Sequence, residues 1–195
     1  MKKAFVVGVG GATQSGKSTF SKELENVLST ALRVKLIHQD RYHKKREEQP
    51  VIEAPFTKKE YSDFNSLDSF DLTQFYIDIQ DEISGNCYDV IIVEGTFVLY
   101  DKEILKVLDL KLFVETQADE RALRYIELYS KYHGHDFIRN SYMDLVRYRM
   151  DEYIIPTKWR ADILLNGSMK SEHAVEMVKT YLLKCGKSRG VTCYD

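Results

Sequence analysis

The chain has 195 residues, of which 44% are hydrophobic and 30% charged, and its formal net charge is -2. This composition is typical of a folded globular protein and excludes a disordered chain, and the length suffices for one full hydrophobic core. The near-neutral charge gives no global basic field, and no apolar run reaches the length of a membrane span. We therefore predict one domain over residues 1–195, with neither nucleic acid nor a membrane as a partner.

The cysteines and the N-terminal segment indicate the cellular compartment in which the protein resides. Cys87, Cys185 and Cys193 are odd in number and lack the spacing of metal-binding or redox pairs. They are interpreted as incidental or buried thiols in a reducing compartment, which predicts a cytoplasmic protein. The apolar stretch 4–9 follows two lysines, but it is too short for the core of a signal peptide and leads into glycines and polar residues. It is predicted to be a buried strand.

Short apolar segments alternate with longer amphipathic ones along the chain. Strands are predicted at residues 5–9, 34–37, 90–93, 110–114 and 163–165, and helices at 17–32, 72–83, 119–132, 142–155 and 171–184. Alternation of this kind predicts an α/β fold of three layers, in which a five-stranded parallel sheet carries helices on both faces.

The first strand leads into a glycine-rich loop. The segment Gly11, Ala12, Thr13, Gln14, Ser15, Gly16, Lys17, Ser18, followed by Thr19, matches every fixed position of the phosphate-loop pattern. Gly11 and Gly16 allow backbone angles that turn N–H groups inward around a phosphate, and the following helix directs its N-terminus at the same place. Lys17 is predicted to reach the β- and γ-phosphates, Ser18 to bind Mg²⁺ and Thr19 to bond the α-phosphate. The motif alone serves ATPases and GTPases as well as kinases.

Two acidic residues follow predicted buried strands. Glu94 comes directly after strand 90–93, and Asp40 lies just beyond strand 34–37. Open α/β sheets bind ligands at the carboxyl ends of their strands. Glu94 is therefore predicted to hold Mg²⁺ directly or through water, with a capping or surface acid as the alternative. Asp40 is predicted to be the general base that takes the proton of an acceptor hydroxyl, with a turn-forming role as the alternative.

The segment between residues 41 and 70 is polar and irregular, with two prolines and several aromatic residues. A connection of this length is more often functional than idle. The neighbouring His38 and His43 are interpreted as a core and a surface histidine, while a metal site formed by both with Asp40 remains the alternative.

Taken in order, these segments resemble the uridine kinase and nicotinamide riboside kinase group, which includes relatives of phosphoribulokinase. The resemblance rests on GATQSGKST at 11–19, HQDRYH at 38–43, FNSLDSFD at 64–71, VIIVEG at 90–95 and PTKWRADILLNG at 156–167. It implies ATP at the phosphate loop, Mg²⁺ beside Glu94 and a small-molecule acceptor in the crevice. It further implies that Asp40 is the base and that Tyr42 lines the acceptor pocket.

The chain departs from the family pattern at the residue that binds the hydroxyl groups of the acceptor. Where uridine kinases have an aspartate that binds the ribose hydroxyls, this chain has Asn65, and Asp63 is the nearby carboxylate that could replace it. An amide can still bond two hydroxyls, but it brings no charge.

The resemblance also implies a helical lid at about residues 119–140. Arg121 and Arg124 remain there, three residues apart on one helical face, and are predicted to act on the transferred phosphate, with a solvated face as the alternative. His133-Gly134-His135 stands where the family often has Arg-Gly-Arg, so the lid cations would depend on histidine protonation. The tyrosines of this region, among them Tyr125 and Tyr129, are interpreted as helix packing, with stacking on a base as the alternative.

The sequence thus predicts an ATP-dependent kinase for the hydroxyl of a small molecule, most simply the 5′-hydroxyl of a nucleoside such as uridine, cytidine or nicotinamide riboside. A kinase for another small alcohol, such as a sugar phosphate or a vitamin precursor, and a nucleotide-binding regulatory protein with a weakened lid are the alternatives. The oligomeric state stays open, with a homo-oligomer among the options. No chemistry is assigned to the tail at 185–195.

Overall fold

The computed structural model describes residues 4–55, 57–169 and 172–188. The strands are β1 (Phe5–Gly10), β2 (Val34–His38), β3 (Val51–Glu53), β4 (Glu60–Ser62), β5 (Val90–Glu94), β6 (Leu110–Glu115) and β7 (Ile163–Asn166). The helices are α1 (Lys17–Leu28), α2 (Leu72–Gly85), α3 (Lys102–Val107), α4 (Ala118–Tyr129), α5 (His135–Ser141), α6 (Arg147–Arg149) and α7 (Glu172–Ser188). Wider π-type turns at Tyr142–Val146 and Met150–Ile154 flank α6, and residues 142–154 are called the π-helical segment below.

Five strands form one parallel sheet in the order β2-β5-β1-β6-β7. Because β1 pairs with β5 on one side and β6 on the other, the phosphate loop that follows β1 leaves the sheet at its centre. The register places Val9 opposite Glu94 and His38 opposite Glu94, so the ends of three strands meet at one edge. The predicted five-stranded parallel α/β fold is confirmed.

Alternate residues of the strands enter two separate cores, one on each face of the sheet. On one face, Val6, Ile91 and Phe113 pack with apolar side chains of α2, α3 and the π-helical segment. On the other face, Val7 and Ile92 pack with side chains of α1 and α7. A strand buried on both faces reads as a continuous apolar run, which is why these strands were recognisable from the sequence.

Three elements were not predicted. A two-stranded antiparallel hairpin, β3–β4, lies within the segment 41–70. The short helix α3 follows β5, and α5 begins well before the helix predicted at 142–155. Short elements of three to seven residues give too few repeats for periodicity to mark them.

The remaining expectations concern the chain's end and the cysteines. Residues 189–195, which hold most of the predicted tail and Cys193, lie outside the described residues. Cys87 is an exposed free thiol, and Cys185 is partly buried. Within the described ranges, no helix combines the length and the apolar character needed to cross a membrane.

Candidate active site

The phosphate loop opens directly into α1. Gly16 is the N-cap of α1 with φ 92, and no side chain caps the helix. A side chain at Gly11, with φ +153, would place its Cβ only 2.6 Å from the Ser15 hydroxyl and from the Val114 carbonyl. Both glycines are therefore required by the backbone path, as the motif predicted.

This loop fits a bound phosphate group. The first-turn N–H groups of α1 have no intrahelical acceptor and no capping side chain, so they are available to an anion. The Ser15 hydroxyl is buried without a hydrogen-bond partner in the described chain. Lys17 is 7% exposed and lies in the first turn, where its ammonium group is largely desolvated. The loop N–H groups, the Ser15 hydroxyl and Lys17 all belong to the segment that the sequence predicts to bind the triphosphate.

Glu94, at the end of β5, is the electrostatic centre of the site. It is 1% exposed, and its carboxylate accepts a hydrogen bond from Ser18 Oγ at 3.0 Å and lies 3.9 Å from Lys17 Nζ. On its other oxygen it pairs with His38 Nδ1 at 2.6 Å. Burial by itself would raise the pKa of Glu94, but the His38 hydrogen bond, the Lys17 charge and the Ser18 hydroxyl outweigh burial and lower it. Glu94 is therefore an anion at neutral pH.

The oxygen atoms of Ser18 and Glu94 suit Mg²⁺, which prefers hard oxygen ligands. No group of three or more His, Cys, Asp or Glu residues in the described ranges is arranged to hold a metal by itself. Such an ion would therefore share its coordination with phosphate oxygens and water. His38 is partly buried and contacts Glu94, and among the described residues it forms no metal cluster with Asp40 and His43.

A cavity of about 510 Å³ lies beside the phosphate loop. Its lining combines the loop, the β3–β4 hairpin, the α4–α5 region and the π-helical segment: Thr13, Lys17, Asp40, His43, Arg46, Tyr61, Ser62, Phe64, Asn65, Phe70, Thr96, Tyr125, Tyr129, His133, Phe137, Ile138, Ser141, Leu145 and Val146. We call it the acceptor cavity. Its walls are rich in aromatic rings, and it contains one carboxylate, Asp40, in its described lining.

Four of the predicted site residues meet in the acceptor cavity. Thr13 and Lys17 come from the phosphate loop, Asp40 from the turn after β2, and Asn65 from the segment after β4. Residues distant in the chain are thereby brought to one space. The close approach of Asp40 to the phosphate-loop side follows from the parallel sheet, because β2 and β1 end at the same edge.

Tyr42 does not lie where the resemblance placed it. Its hydroxyl donates to Asp78 Oδ2 at 2.6 Å, and its ring packs on Phe75, with 4.9 Å between ring centroids. Both partners belong to α2, and Tyr42 is absent from the cavity lining. His43, the next residue, lines the cavity instead, with its ring 4.0 Å from that of Phe70.

Asp63 is also turned away from the acceptor cavity. It is fully buried, its Oδ2 accepts from Arg149 Nε at 2.8 Å, and its Oδ1 accepts from the Asn65 backbone N–H at 2.9 Å. Both oxygens are thus committed to the protein, so the idea that Asp63 supplies a carboxylate to the acceptor is corrected. Its neighbours Ser62, Phe64 and Asn65 face the cavity.

The two arginines of α4 bind backbone carbonyls. Arg121 is 3% exposed, and its Nε donates to the Thr116 carbonyl at 3.1 Å. Arg124 donates to the carbonyls of Gln14 at 3.2 Å and Gly167 at 3.1 Å. Neither lines the acceptor cavity. In this structure Arg124 ties α4 to the phosphate loop, and the predicted action of both arginines on the transferred phosphate stays a prediction.

A second cavity, of about 380 Å³, lies on the other side of the phosphate loop. It is lined by polar residues that include Gln14, Thr19 and Arg124 and by apolar residues that include Phe20, Val114, Leu165 and Met169. Apolar walls beside the phosphate loop suit the flat base of a nucleotide. We call it the base cavity.

Sequence reasoning missed most of the aromatic wall of the acceptor cavity. Tyr61, Phe64 and Phe137 come from irregular or very short elements without periodicity. The only available signal was the unusual length and aromatic content of the segment 41–70. Of the two lid histidines, His133 lines the cavity, whereas His135 is exposed beside Asp136 at 3.8 Å.

Comparison with known proteins agrees with this geometry. The model of the phosphoribulokinase / uridine kinase family matches residues 78–172. A uridine kinase from Clostridium botulinum (strain Kyoto / Type A2) is 31% identical over 91% of this chain and 95% of its own length. The chain belongs to the phosphoribulokinase / uridine kinase family. A uridine kinase from Lactobacillus helveticus (strain DPC 4571) is 27% identical over 93% of this chain and 95% of its own. This protein is accordingly a kinase that phosphorylates a small molecule.

Solved structures support the same fold. A protein from Silicibacter sp. TM1040, described as a candidate fructose transport system kinase, superimposes with a TM-score of 0.62 at 20% identity, covering 84% of this chain and 90% of that one. A possible uridine kinase from Bacillus stearothermophilus gives a TM-score of 0.52 at 17% identity, with 85% and 90% coverage. At such identities these structures bear on the fold alone.

Proposed function

We propose that this family member transfers the γ-phosphate of ATP to the 5′-hydroxyl of a nucleoside. The observation that carries the proposal is the acceptor cavity, which joins Lys17 and Asp40 at the phosphate-loop side to walls of aromatic rings. Aromatic walls suit a planar base, and a cavity of about 510 Å³ has room for a nucleoside. The uridine kinases among its relatives support the same acceptor class.

In this mechanism the protein positions the reactants and stabilises charge. Lys17 and the N–H groups at the start of α1 hold the phosphates, while the base cavity receives the adenine. Asp40 orients the acceptor hydroxyl and takes its proton as the new P–O bond forms. Mg²⁺, bound beside Ser18 and Glu94, would neutralise charge on the phosphate oxygens. We further propose that the α4–α5 region, residues 118–141, closes over the cavity as a lid that excludes water. We also propose that the protein is cytoplasmic.

The test is a survey of acceptors with a matched pair of variants. ATP consumption with Mg²⁺ is measured across uridine, cytidine, nicotinamide riboside, sugar phosphates and other small alcohols. We expect one nucleoside to accelerate turnover strongly, Asp40→Asn to abolish that acceleration with ATP affinity retained, and Asp81→Asn to behave as the parent protein. Asp81 is an exposed acid on α2 outside the cavity. Strong turnover with a non-nucleoside alcohol would refute the acceptor class, and full activity in Asp40→Asn would refute the base.

A nucleotide-binding protein without transfer activity is the second candidate. The observation that favours it is the engagement of Arg121 and Arg124 with backbone carbonyls, which leaves α4 without a cation facing the acceptor cavity. Tight ATP binding without acceleration by any acceptor would support this candidate.

A further inference from the structure

The side of α4 that faces the acceptor cavity carries phenols in place of cations. Tyr125 and Tyr129 are four residues apart on α4, and both line the cavity with Lys17 and Asp40. Their ring centroids are 4.6 Å apart, and Tyr125 stacks in turn on Tyr142 at 5.1 Å. The three rings form a ladder that fixes the two phenols of α4 at the cavity wall.

Neither of these phenols has a hydrogen-bond partner among the described residues. Tyr142 donates its hydroxyl to the Ala118 carbonyl at 3.3 Å, whereas the hydroxyls of Tyr125 and Tyr129 form no hydrogen bond with another described residue. A partly buried hydroxyl without a protein partner is a donor held ready for a ligand. Among the described basic residues, only Lys17, Arg46, His43 and His133 line the same cavity.

Tyr129 is the last residue of α4 and lines the cavity together with the proposed base Asp40. Burial first, and then the negative charge of Asp40, raise the pKa of Tyr129, so the phenol lies within electrostatic range of the proposed base. Burial also raises the pKa of Tyr125. Both side chains therefore stay protonated at neutral pH and can donate.

We propose that the Tyr129 phenol donates a hydrogen bond to the phosphoryl group in transit, which makes Tyr129 a further catalytic residue. The inference rests on the proposed phosphoryl transfer. In that step the bond from phosphorus to the β-phosphate oxygen breaks, the bond to the acceptor oxygen forms, and the acceptor proton passes to Asp40. Tyr129 keeps its proton throughout and stabilises the charge on the equatorial oxygens. It takes the place in which a cation of α4 would otherwise act.

The test uses a mimic of the transferred group, so it needs no knowledge of the acceptor. The affinity for ADP with Mg²⁺ is measured by calorimetry, with and without aluminium fluoride, which imitates a planar phosphoryl group. The variant is Tyr129→Phe, which keeps the ring and its packing on Tyr125. The matched control is Tyr132→Phe, whose side chain is 75% exposed and outside the cavity lining.

We expect ADP alone to bind the parent protein and both variants equally. Aluminium fluoride should tighten binding to the parent protein and to Tyr132→Phe, and Tyr129→Phe should lose about ten- to hundredfold of that gain, the loss typical of one hydrogen bond to a charged group. Once the acceptor is known, kcat should fall by a similar factor with little change in KM.

Two outcomes would overturn the inference, and they differ. An undiminished gain in Tyr129→Phe would show that the phenol does not touch the transferred group, while leaving the kinase proposal intact. No gain from aluminium fluoride in the parent protein would contradict phosphoryl transfer itself, and the role of Tyr129 with it.

Discussion

At the scale of single residues, the site depends on one buried carboxylate held by three different groups. Glu94 is the first residue after an apolar run that reads clearly as a strand, but its partners His38, Lys17 and Ser18 come from two other strand ends. A buried acid of this kind would be costly alone and is stable as an anion because each oxygen is paired. Its charge is thus a property of the assembled strand ends.

The lowered pKa of Glu94 predicts a pH dependence of stability. A carboxyl whose folded pKa lies below its ordinary value of 4.5 contributes stability that is complete above that value and is lost as pH falls through the folded pKa. Compared with Glu94→Gln, the parent protein should therefore lose unfolding free energy as pH drops below 4.5.

Urea unfolding at a series of pH values checks this prediction. Glu176→Gln, a change at an exposed acid of α7, is the control and should track the parent protein. If the free energy of unfolding of Glu94→Gln falls in parallel with that of the parent protein throughout the acid range, the pairing assigned to Glu94 is contradicted.

At the scale of elements, two buried carboxylates attach the β3–β4 hairpin to the π-helical segment. Asp63, at the end of the hairpin, pairs with Arg149. In the reverse direction, Asp144 of the helical segment accepts from Thr57 Oγ1 at 2.5 Å and from the Tyr61 hydroxyl at 3.3 Å. A two-stranded hairpin is marginally stable alone, so these contacts hold one wall of the acceptor cavity against the other.

We predict that Arg149→Met destabilises the protein strongly, because it leaves the fully buried Asp63 carboxylate without its cation. Removing one partner of a buried pair costs about 3 kcal/mol or more of unfolding free energy. Arg147→Met, a change two residues away at a side chain that stacks on Tyr148, is the control and should cost far less.

Denaturant unfolding at neutral pH measures both variants. The double change Asp63→Asn with Arg149→Met should recover part of the loss, since no buried charge is then left unpaired. Equal losses in Arg149→Met and Arg147→Met would show that the pair does not hold the hairpin.

At the scale of the whole molecule, the nucleotide site joins elements from the entire chain. The phosphate loop lies between the base cavity and the acceptor cavity, and Arg124 links it to α4 and to the loop after β7. Thr13 N–H also contacts Met150 Sδ at 3.3 Å, which connects the loop to the π-helical segment. A ligand bound to the loop should therefore stabilise the fold as a unit.

ATP with Mg²⁺ should raise the unfolding temperature, with a stabilisation that grows as the logarithm of the ATP concentration above Kd. At an ATP concentration one hundred times Kd, the free energy of unfolding increases by about 2.7 kcal/mol. Lys17→Met should remove most of this shift, because its nearly buried ammonium group faces the phosphates. Lys22→Met, at an exposed position of the same helix, should retain it.

Thermal unfolding with and without ATP decides this prediction. An ATP-induced shift of full size in Lys17→Met would mean that the nucleotide binds elsewhere than at the phosphate loop.

The sequence by itself determined the five strands of the sheet, the longer helices, the phosphate loop and the two acids that follow strands, because these features are local. Doubly buried strands appear as apolar runs, and the loop pattern is contiguous. Only the tertiary structure decided which groups face the cavities. Tyr42, Asp63 and Arg124 bind partners from distant parts of the chain, and none of the three lines the acceptor cavity, whereas Tyr129 does. The direction of a polar side chain is set by the donors and acceptors packed around it, and no local pattern records those.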